Sequence, residues 1–499
     1  MNSAGLYTAY KTKVQKIADV KYASAVLQWD QETYLPPKGN DFRGRQMATL
    51  NEIAHQQFTD ANLGALLLDL NAKDDLSPAE KRNVQLSLED YNRNKKLSSD
   101  FVRKLSEAVN TSYHAWAKAR SENSFATFQQ PLHNLIQLKK QEADMLGYDQ
   151  HPYNALMNDF DKGLTVSTVD TIFSGLKPQL SLLLDSTRNK TPVDNSFLQQ
   201  YFNKDDQWKF GIEILKRIGF DFEAGRLDTS LHPFTTNFSS MDVRVTTRID
   251  EHDFGNMTWS CIHEGGHALY EQGLPSEQYG LPLGEYCSLS IHESQSRLWE
   301  NCIGRGLSFW QHNFKLLNTL FPKQLNNLTA QQFYKGINKV APSLIRTEAD
   351  ELTYHFHVMI RYEIEKMLIE GNISTKDIPS LWNEQYQKYL GVTVPDDKSG
   401  CLQDIHWSHG SFGYFATYSL GSMYAAQLYA AIEKEKPSVE KEIACGNHGG
   451  IHKWLQNNIY QHGRYFSSEE LCKKATGESL NPTYFIDYAT KKFNNIYSA

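Results

Sequence analysis

The run His263-Glu264-Gly265-Gly266-His267 sets two imidazoles four residues apart, with a carboxylate beside the first. On a helix, positions four apart share one face. Both rings can then reach one tetrahedral Zn²⁺, and the glutamate stands beside a water activated there. That is the chemistry of metal-assisted hydrolysis. Without a metal the pair would be two solvent-facing histidines on a surface helix. Two adjacent glycines weaken a helix by about 1 kcal/mol each relative to alanine. Close passage of a substrate or a neighbouring strand over the backbone would explain them.

A catalytic zinc needs a third protein ligand and an open position. A metzincin would have glycine at 270 and histidine at 273, but the sequence has Tyr270 and Gly273. After Gly273 come breakers at Pro275, Gly280, Pro282 and Gly284. A helical pattern then runs through Leu289, Ile291, Leu298, Trp299, Cys302 and Ile303, and it carries Glu293 and Glu300. Glu293 follows His267 at about the separation a helix–loop–helix hairpin needs to fold back. It is the preferred third ligand, with Glu300 second. Glu285, among the breakers, is less well placed.

The elements around this hairpin read mostly as helix. Leu6, Tyr10, Val14, Ile17 and Ala18 make one apolar face. Ser77-Pro78-Ala79-Glu80 is a helix start with a capping box and proline at the first position. Residues 80–121 suit long solvated helices, and Thr329 to Gln332 and Ser380 to Glu384 repeat the capping spacing. Asp242–Ile249 alternates polar and apolar residues as a strand does, and Leu231–Ser240 suits turns and short strands. The expected fold class is therefore mainly α, with one small β-sheet. A loop over Thr187–Ser196, containing Asn189, Pro192 and Asp194, divides an N-terminal helical lobe of roughly 1–190 from a catalytic lobe of roughly 191–499 in a single domain. Residues 391–421 are irregular, with glycines at 391, 400, 410, 413 and 421 among aromatics and histidine. Irregular segments this long are usually functional when they are too aromatic to be disordered.

Composition excludes several functions. A net charge of −7 over 499 residues disfavours nucleic acid or an anionic membrane as partner. No uncharged apolar run reaches the ~20 residues that span a bilayer. The N-terminus lacks the basic-then-apolar order of a secretory signal. Six cysteines without a Cys-x-x-Cys pair suit buried free thiols. The expected compartment is the cytoplasm.

Further motifs stand in a fixed order along the chain. They are Leu27-Gln28-Trp29-Asp30-Gln31-Glu32-Thr33, His232-Pro233-Phe234, Asp242-Val243-Arg244-Val245-Thr246 and His292-Glu293-Ser294-Gln295. Ile345-Arg346-Thr347-Glu348-Ala349-Asp350 and Gly400-Cys401-Leu402-Gln403-Asp404-Ile405-His406-Trp407 follow. With the His-Glu-x-x-His run they resemble the Taq-type thermostable metallocarboxypeptidases from residue 27 to about 421. One departure is Ala416, where the family pattern has proline. The resemblance implies a helical, zincin-like, saddle-shaped subunit with a deep groove. It also implies homodimers and release of single C-terminal amino acids from peptides with broad preference.

Roles follow from chemistry and resemblance together. Zn²⁺, with Co²⁺ as a substitute, would be held by His263, His267 and Glu293 and would activate the attacking water. Glu264 would take the water's proton and pass it to the leaving amine. His406 and Tyr414 are the candidate oxyanion donors, with a packed aromatic or a satisfied core polar group as the alternative for each. The substrate carboxylate suits an arginine fork, with Arg346 first and Arg244 second. Arg244 can instead pair with Asp242 on its own strand. His232 joins the substrate-binding set through the His-Pro-Phe motif. Asp350 and Asp404 are expected to orient the histidines from behind, although each could equally serve a structural ion pair. The alternatives are a zinc endopeptidase or dipeptidyl carboxypeptidase on a related helical scaffold, and a metal-free peptide-binding protein. Binding alone would not need Glu264.

Overall fold

Helix dominates the computed structural model, which describes residues 2–188 and 190–497; Asn189 of the expected loop lies outside the described residues. By compactness the chain forms two units. One runs through Lys95 and takes in Asp194–Ile337 and Tyr424–Leu480. The other comprises Lys96–Val193, Asn338–Met423 and the chain from Asn481. Each draws on three stretches of chain. The crossing at Val193–Asp194 is therefore one of several, rather than a border between two contiguous lobes.

In the first unit the apolar face read near the N-terminus lies on a Ser3–Thr33 helix. Its Tyr10, Val14 and Ile17 pack with Leu63, Leu67, Leu70 and Val84. The Pro78–Lys95 helix starts on the expected capping box: Ser77 N–H donates to Glu80 at 2.9 Å, and Glu80 N–H donates back to Ser77 Oγ at 3.4 Å. Its Asn83 accepts from Leu283 N–H at 3.0 Å and donates to Gln278 Oε1 at 2.9 Å. Those two bonds pin the breaker-rich loop that leads to Glu293.

The sheet has strands β1 (Gly225–Thr229), β2 (Thr235–Ser239) and β3 (Asp242–Thr247) in the order β1-β3-β2. β3 runs parallel to β1 and antiparallel to β2, with a bulge between Asn237 and Ser239. Val243 and Val245 of β3 are fully buried, as the alternation requires. The strand ends at Thr247 rather than Ile249. β1 gave no sequence signal, because its buried pair Leu227 and Asp228 is adjacent rather than alternating.

The Phe254–Gln272 helix carries the His-Glu-x-x-His run. Phe254 anchors it among aromatics, 4.9 Å from the Phe202 ring and 5.9 Å from Phe210. The paired glycines are contact points for other helices, not for a strand. A methyl group on Gly265 would sit 2.8 Å from Leu215 and Ile218, and one on Gly266 would sit 2.7 Å from Gln295 O and Ser296 Cα. The second helical pattern is composite. An α-helix over Leu289–Arg297, capped by Ser288, passes into a π-helix over Leu298–Gly304.

In the second unit, the Ile378–Leu390 helix begins earlier than the Ser380 spacing suggests. Ser374 and Asp377 form the capping box, and Ser380 lies inside the helix. Ala416 opens the Ala416–Glu435 helix, where proline would also fit. Five of the six cysteines are buried, while Cys445 is exposed, which corrects the expectation for that residue. Among the described residues no helix is long and apolar enough to cross a membrane.

Candidate metal centre

The close crossing at Gly266 brings the Leu289–Arg297 helix over the His-Glu-x-x-His face. His263, His267 and Glu293 each offer one ligand atom, and the three lie within 4.8 Å of one another. Glu293 Oε2 is 3.6 Å from His263 Nε2 and 3.4 Å from His267 Nε2. The far carboxylate oxygen, Oε1, accepts from Arg297 Nε at 2.7 Å, and Ser296 Oγ donates to Oε2 at 3.0 Å. This donor set, two imidazoles and a carboxylate, fits a divalent metal such as zinc.

Electrostatics keep Glu293 and His267 in metal-binding form. Burial disfavours charge on Glu293, but Arg297, His263 and His267 outweigh it and hold the carboxyl well below its usual range. Burial and the adjacent His292 lower His267 to about 3, so that ring is neutral. Burial also opposes charge on His263, yet Glu293 and Glu300 raise it overall.

Glu300, the second-choice ligand, stands on the other side of His263. Its Oε2 is 2.9 Å from His263 Nδ1, whereas Glu293 faces Nε2. Arg297 Nη1 (3.2 Å) and Arg305 Nη2 (3.1 Å) donate to Glu300. His267 Nδ1 is 2.5 Å from His292 Nδ1, and His292 Nε2 is 2.7 Å from Glu271 Oε1. The contacts expected from Asp350 and Asp404 behind the histidines are thus made by Glu300 and His292. Asp350 instead accepts from Leu352 N–H and Thr353 N–H at 2.9 Å each, and Asp404 is taken by arginines. Glu285 pairs with Arg464 at 3.3 Å.

Glu264 is buried beside the ligands, and β2 positions it. Thr235 Oγ1 lies 2.7 Å from Glu264 Oε2 and 2.9 Å from its backbone oxygen. Burial raises the Glu264 carboxyl above its ordinary range, while His263 and Thr235 oppose the shift. His232 lies exposed in the turn before β2, where its carbonyl accepts from Ser230 Oγ at 2.6 Å.

Both arginine forks already hold a carboxylate. Arg244 donates to Asp242 through Nε (3.0 Å) and Nη2 (2.9 Å) and lies 4.3 Å over the Trp29 ring. In the second unit Arg346 donates to Asp404 through Nε (3.1 Å) and Nη2 (3.0 Å), and through Nη1 to Tyr354 at 3.1 Å. Arg361, only 1% exposed, reaches the same Asp404 at 2.5 Å. His406 and Tyr414 belong to this unit too, with rings 5.4 Å apart. Burial lowers His406 to about 3, and its Nε2 meets the Tyr418 hydroxyl at 3.0 Å.

Sequence reasoning missed Thr235, Glu271, His292 and Arg361. Signals existed for two of them. Glu271 lies four residues after His267 on the same helix face, and His292 adjoins Glu293.

A mainly helical fold with a His-Glu-x-x-His helix and a glutamate on the next helix defines a metallopeptidase of the zincin type. The chain belongs to the carboxypeptidase Taq (M32) metallopeptidase family, whose model matches residues 9–493. It is 38% identical to carboxypeptidase 1 of Bacillus subtilis (strain 168) over 486 residues, covering 97% of each chain. A solved structure known as CHT is 57% identical, covers 98% of this chain and 99% of its own, and has a TM-score of 0.96. The M32 carboxypeptidase of Deinococcus radiodurans R1 is 37% identical, covers 99% of this chain and all of its own (100%), and has a TM-score of 0.97. The protein is thus a metallocarboxypeptidase, a hydrolase of peptide bonds that uses a divalent metal.

Proposed function

We propose that His263, His267 and Glu293 hold a catalytic zinc ion, and that the enzyme removes single amino acids from peptide C-termini with broad preference. The observation that carries this reading is the convergence of the three ligand atoms within 4.8 Å. Co²⁺ suits the same donors. When bound, the dication supplies Lewis-acid polarisation of the scissile carbonyl and acidifies the attacking water.

The chain's own groups do the rest. Glu264, fixed by Thr235, takes the water's proton and delivers it to the leaving amine. His406 and Tyr414 donate to the developing oxyanion. Arg346 is the first choice for the substrate carboxylate. Its cluster sets two guanidiniums against one carboxylate and so carries a surplus positive charge, whereas Arg244 and Asp242 balance. Arg244 and His232 remain further substrate contacts in this proposal. Homodimerisation, carried by the family resemblance, belongs to it as well, as does a cytoplasmic location, the default compartment for six cysteines without a Cys-x-x-Cys pair.

Chelation tests the reading. Dialysis against a strong chelator should abolish C-terminal release, and Zn²⁺ should restore it. Full activity in metal-free protein would overturn the mechanism. Product analysis on an N-blocked tetrapeptide separates the variants of the reading: one residue released supports it, and a dipeptide or an internal cut favours the dipeptidyl or endopeptidase alternative.

A further inference from the structure

We propose that two separate relays set the metal-facing edge of the histidines: Glu300 behind His263, and His292 with Glu271 in series behind His267. This rests on the reading that His263, His267 and Glu293 hold the metal.

Ionised carboxylates only accept hydrogen bonds. Glu300, 2.9 Å from His263 Nδ1, therefore fixes the proton on Nδ1 and leaves the Nε2 lone pair towards Glu293. Behind His267 the logic takes two steps. Glu271 Oε1 accepts from His292 Nε2 at 2.7 Å. A single proton lies between His292 Nδ1 and its neighbour at 2.5 Å, His267 Nδ1. With the His267 Nε2 lone pair turned to the same point, 3.4 Å from Glu293 Oε2, that proton sits on His267 Nδ1 and His292 Nδ1 accepts it. Asn237 of β2 donates to Glu271 Oε2 at 2.6 Å and holds the end of this relay.

The relays differ in kind. His263 is backed directly by an anion, itself held by Arg297 and Arg305. His267 is backed by a second imidazole, which stands between it and Glu271. His292, Glu271 and Glu300 are thus positioning residues. Partners of this sort typically contribute ~10- to 100-fold to metal affinity.

Zinc dissociation constants, measured by competition with a chromophoric chelator, test the proposal without reference to activity. His292→Asn and Glu271→Leu should each weaken zinc ~10-fold or more, and the double variant should be no weaker than either single, because the two act in series. Glu300→Leu combined with Glu271→Leu should multiply the single losses, because those relays are parallel. Glu271→Gln, which keeps an acceptor oxygen, should recover most of the affinity lost in Glu271→Leu. Melting of each apoprotein separates misfolding from lost positioning. Should His292→Asn fail to fold, the Glu271→Leu and Glu271→Gln pair carries the same decision. Unchanged zinc affinity in Glu271→Leu, or multiplied losses within the His292–Glu271 pair, would overturn the series relay. Failure of wild-type protein to bind zinc, or unaltered binding in His267→Ala, would instead overturn the underlying metal site.

Discussion

Gly266 packs against the backbone of Ser296: a methyl group at Gly266 would come 2.7 Å from the Ser296 Cα and from the Gln295 carbonyl oxygen. Neither neighbour is a side-chain end that could swing away. The contact sets how closely the helix bearing Glu293 crosses the helix bearing both histidines. Gly266→Ala should therefore cost about 1–3 kcal/mol of stability by overpacking. It should also weaken zinc, because Glu293 moves off the histidines. Gly265→Ala meets only the side chains of Leu215 and Ile218, so it should lose stability with less effect on metal. Thermal melting and zinc titration of both variants check this. Equal zinc affinity in the two would show that the crossing does not place Glu293.

Glu264→Gln keeps the shape of the base and removes its proton affinity. The expected outcome is a ~10² to 10⁴-fold fall in kcat with zinc still bound. Thr235→Val, nearly the same size, removes the 2.7 Å contact to Glu264 Oε2. A hydrogen bond to a charged group contributes about 1.5–3 kcal/mol, so a ~10- to 100-fold fall in kcat is expected. Loss of zinc from Glu264→Gln would make Glu264 a ligand instead.

The sequence carried the chemistry better than its scaffolding. A His-Glu-x-x-His run fixes a helix face by spacing alone, and the hairpin to Glu293 follows from helix pattern and breakers. Hairpin spacing ranks Glu293 before Glu300 but gives Glu300 no role of its own, because the two lie seven residues apart and would share a face on a regular helix. Only the turn into π-helix at Leu298 and the placement of Arg297 and Arg305 separate their roles. Asp350 and Asp404 were legible as important acids but not as to partner. A buried carboxylate takes whichever donors tertiary packing brings, and for Asp404 those are Arg346 and Arg361. β1 was silent because neither of its faces alternates.

Glu365 gives a pH dependence of stability. It is fully buried and accepts from Gly413 N–H (2.9 Å), Tyr153 (2.5 Å) and Trp407 Nε1 (2.8 Å). Burial outweighs these bonds and pushes its carboxyl up to about 7, from an ordinary value of 4.5. Between those values the folded chain keeps a proton that the unfolded chain has lost. Its contribution to stability therefore falls as pH rises from about 4.5 to about 7. A difference of this size corresponds to about 3 kcal/mol. Denaturant unfolding at pH 5 and pH 8 should show wild type losing more stability than Glu365→Gln, by about that amount. Parallel pH dependence in both proteins would mean that Glu365 does not hold its proton in the folded state.

The last expectation concerns how the substrate's end is held. A free C-terminal carboxylate is charged and an amidated one is not, so a cationic site should discriminate between them. Arg346, Arg361 and Asp404 carry one surplus positive charge in a buried setting, where it most needs an anion. Losing one partner of a desolvated charge pair typically costs ~2–5 kcal/mol. Amidating the substrate should thus lower kcat/KM at least ~30-fold, at the low end of that range. Arg346→Ala also strips Asp404 of one of its two arginines, so its absolute activity mixes recognition with structural damage. The ratio of kcat/KM for free-acid and amidated peptides cancels the damage, which strikes both substrates alike. Arg346→Ala should bring that ratio close to one, while Arg244→Ala, which breaks a balanced pair with Asp242, should leave it high. Collapse of the ratio in Arg244→Ala alone would move the clamp to β3. A ratio near one in the unmodified enzyme would mean that no arginine reads the substrate's carboxylate.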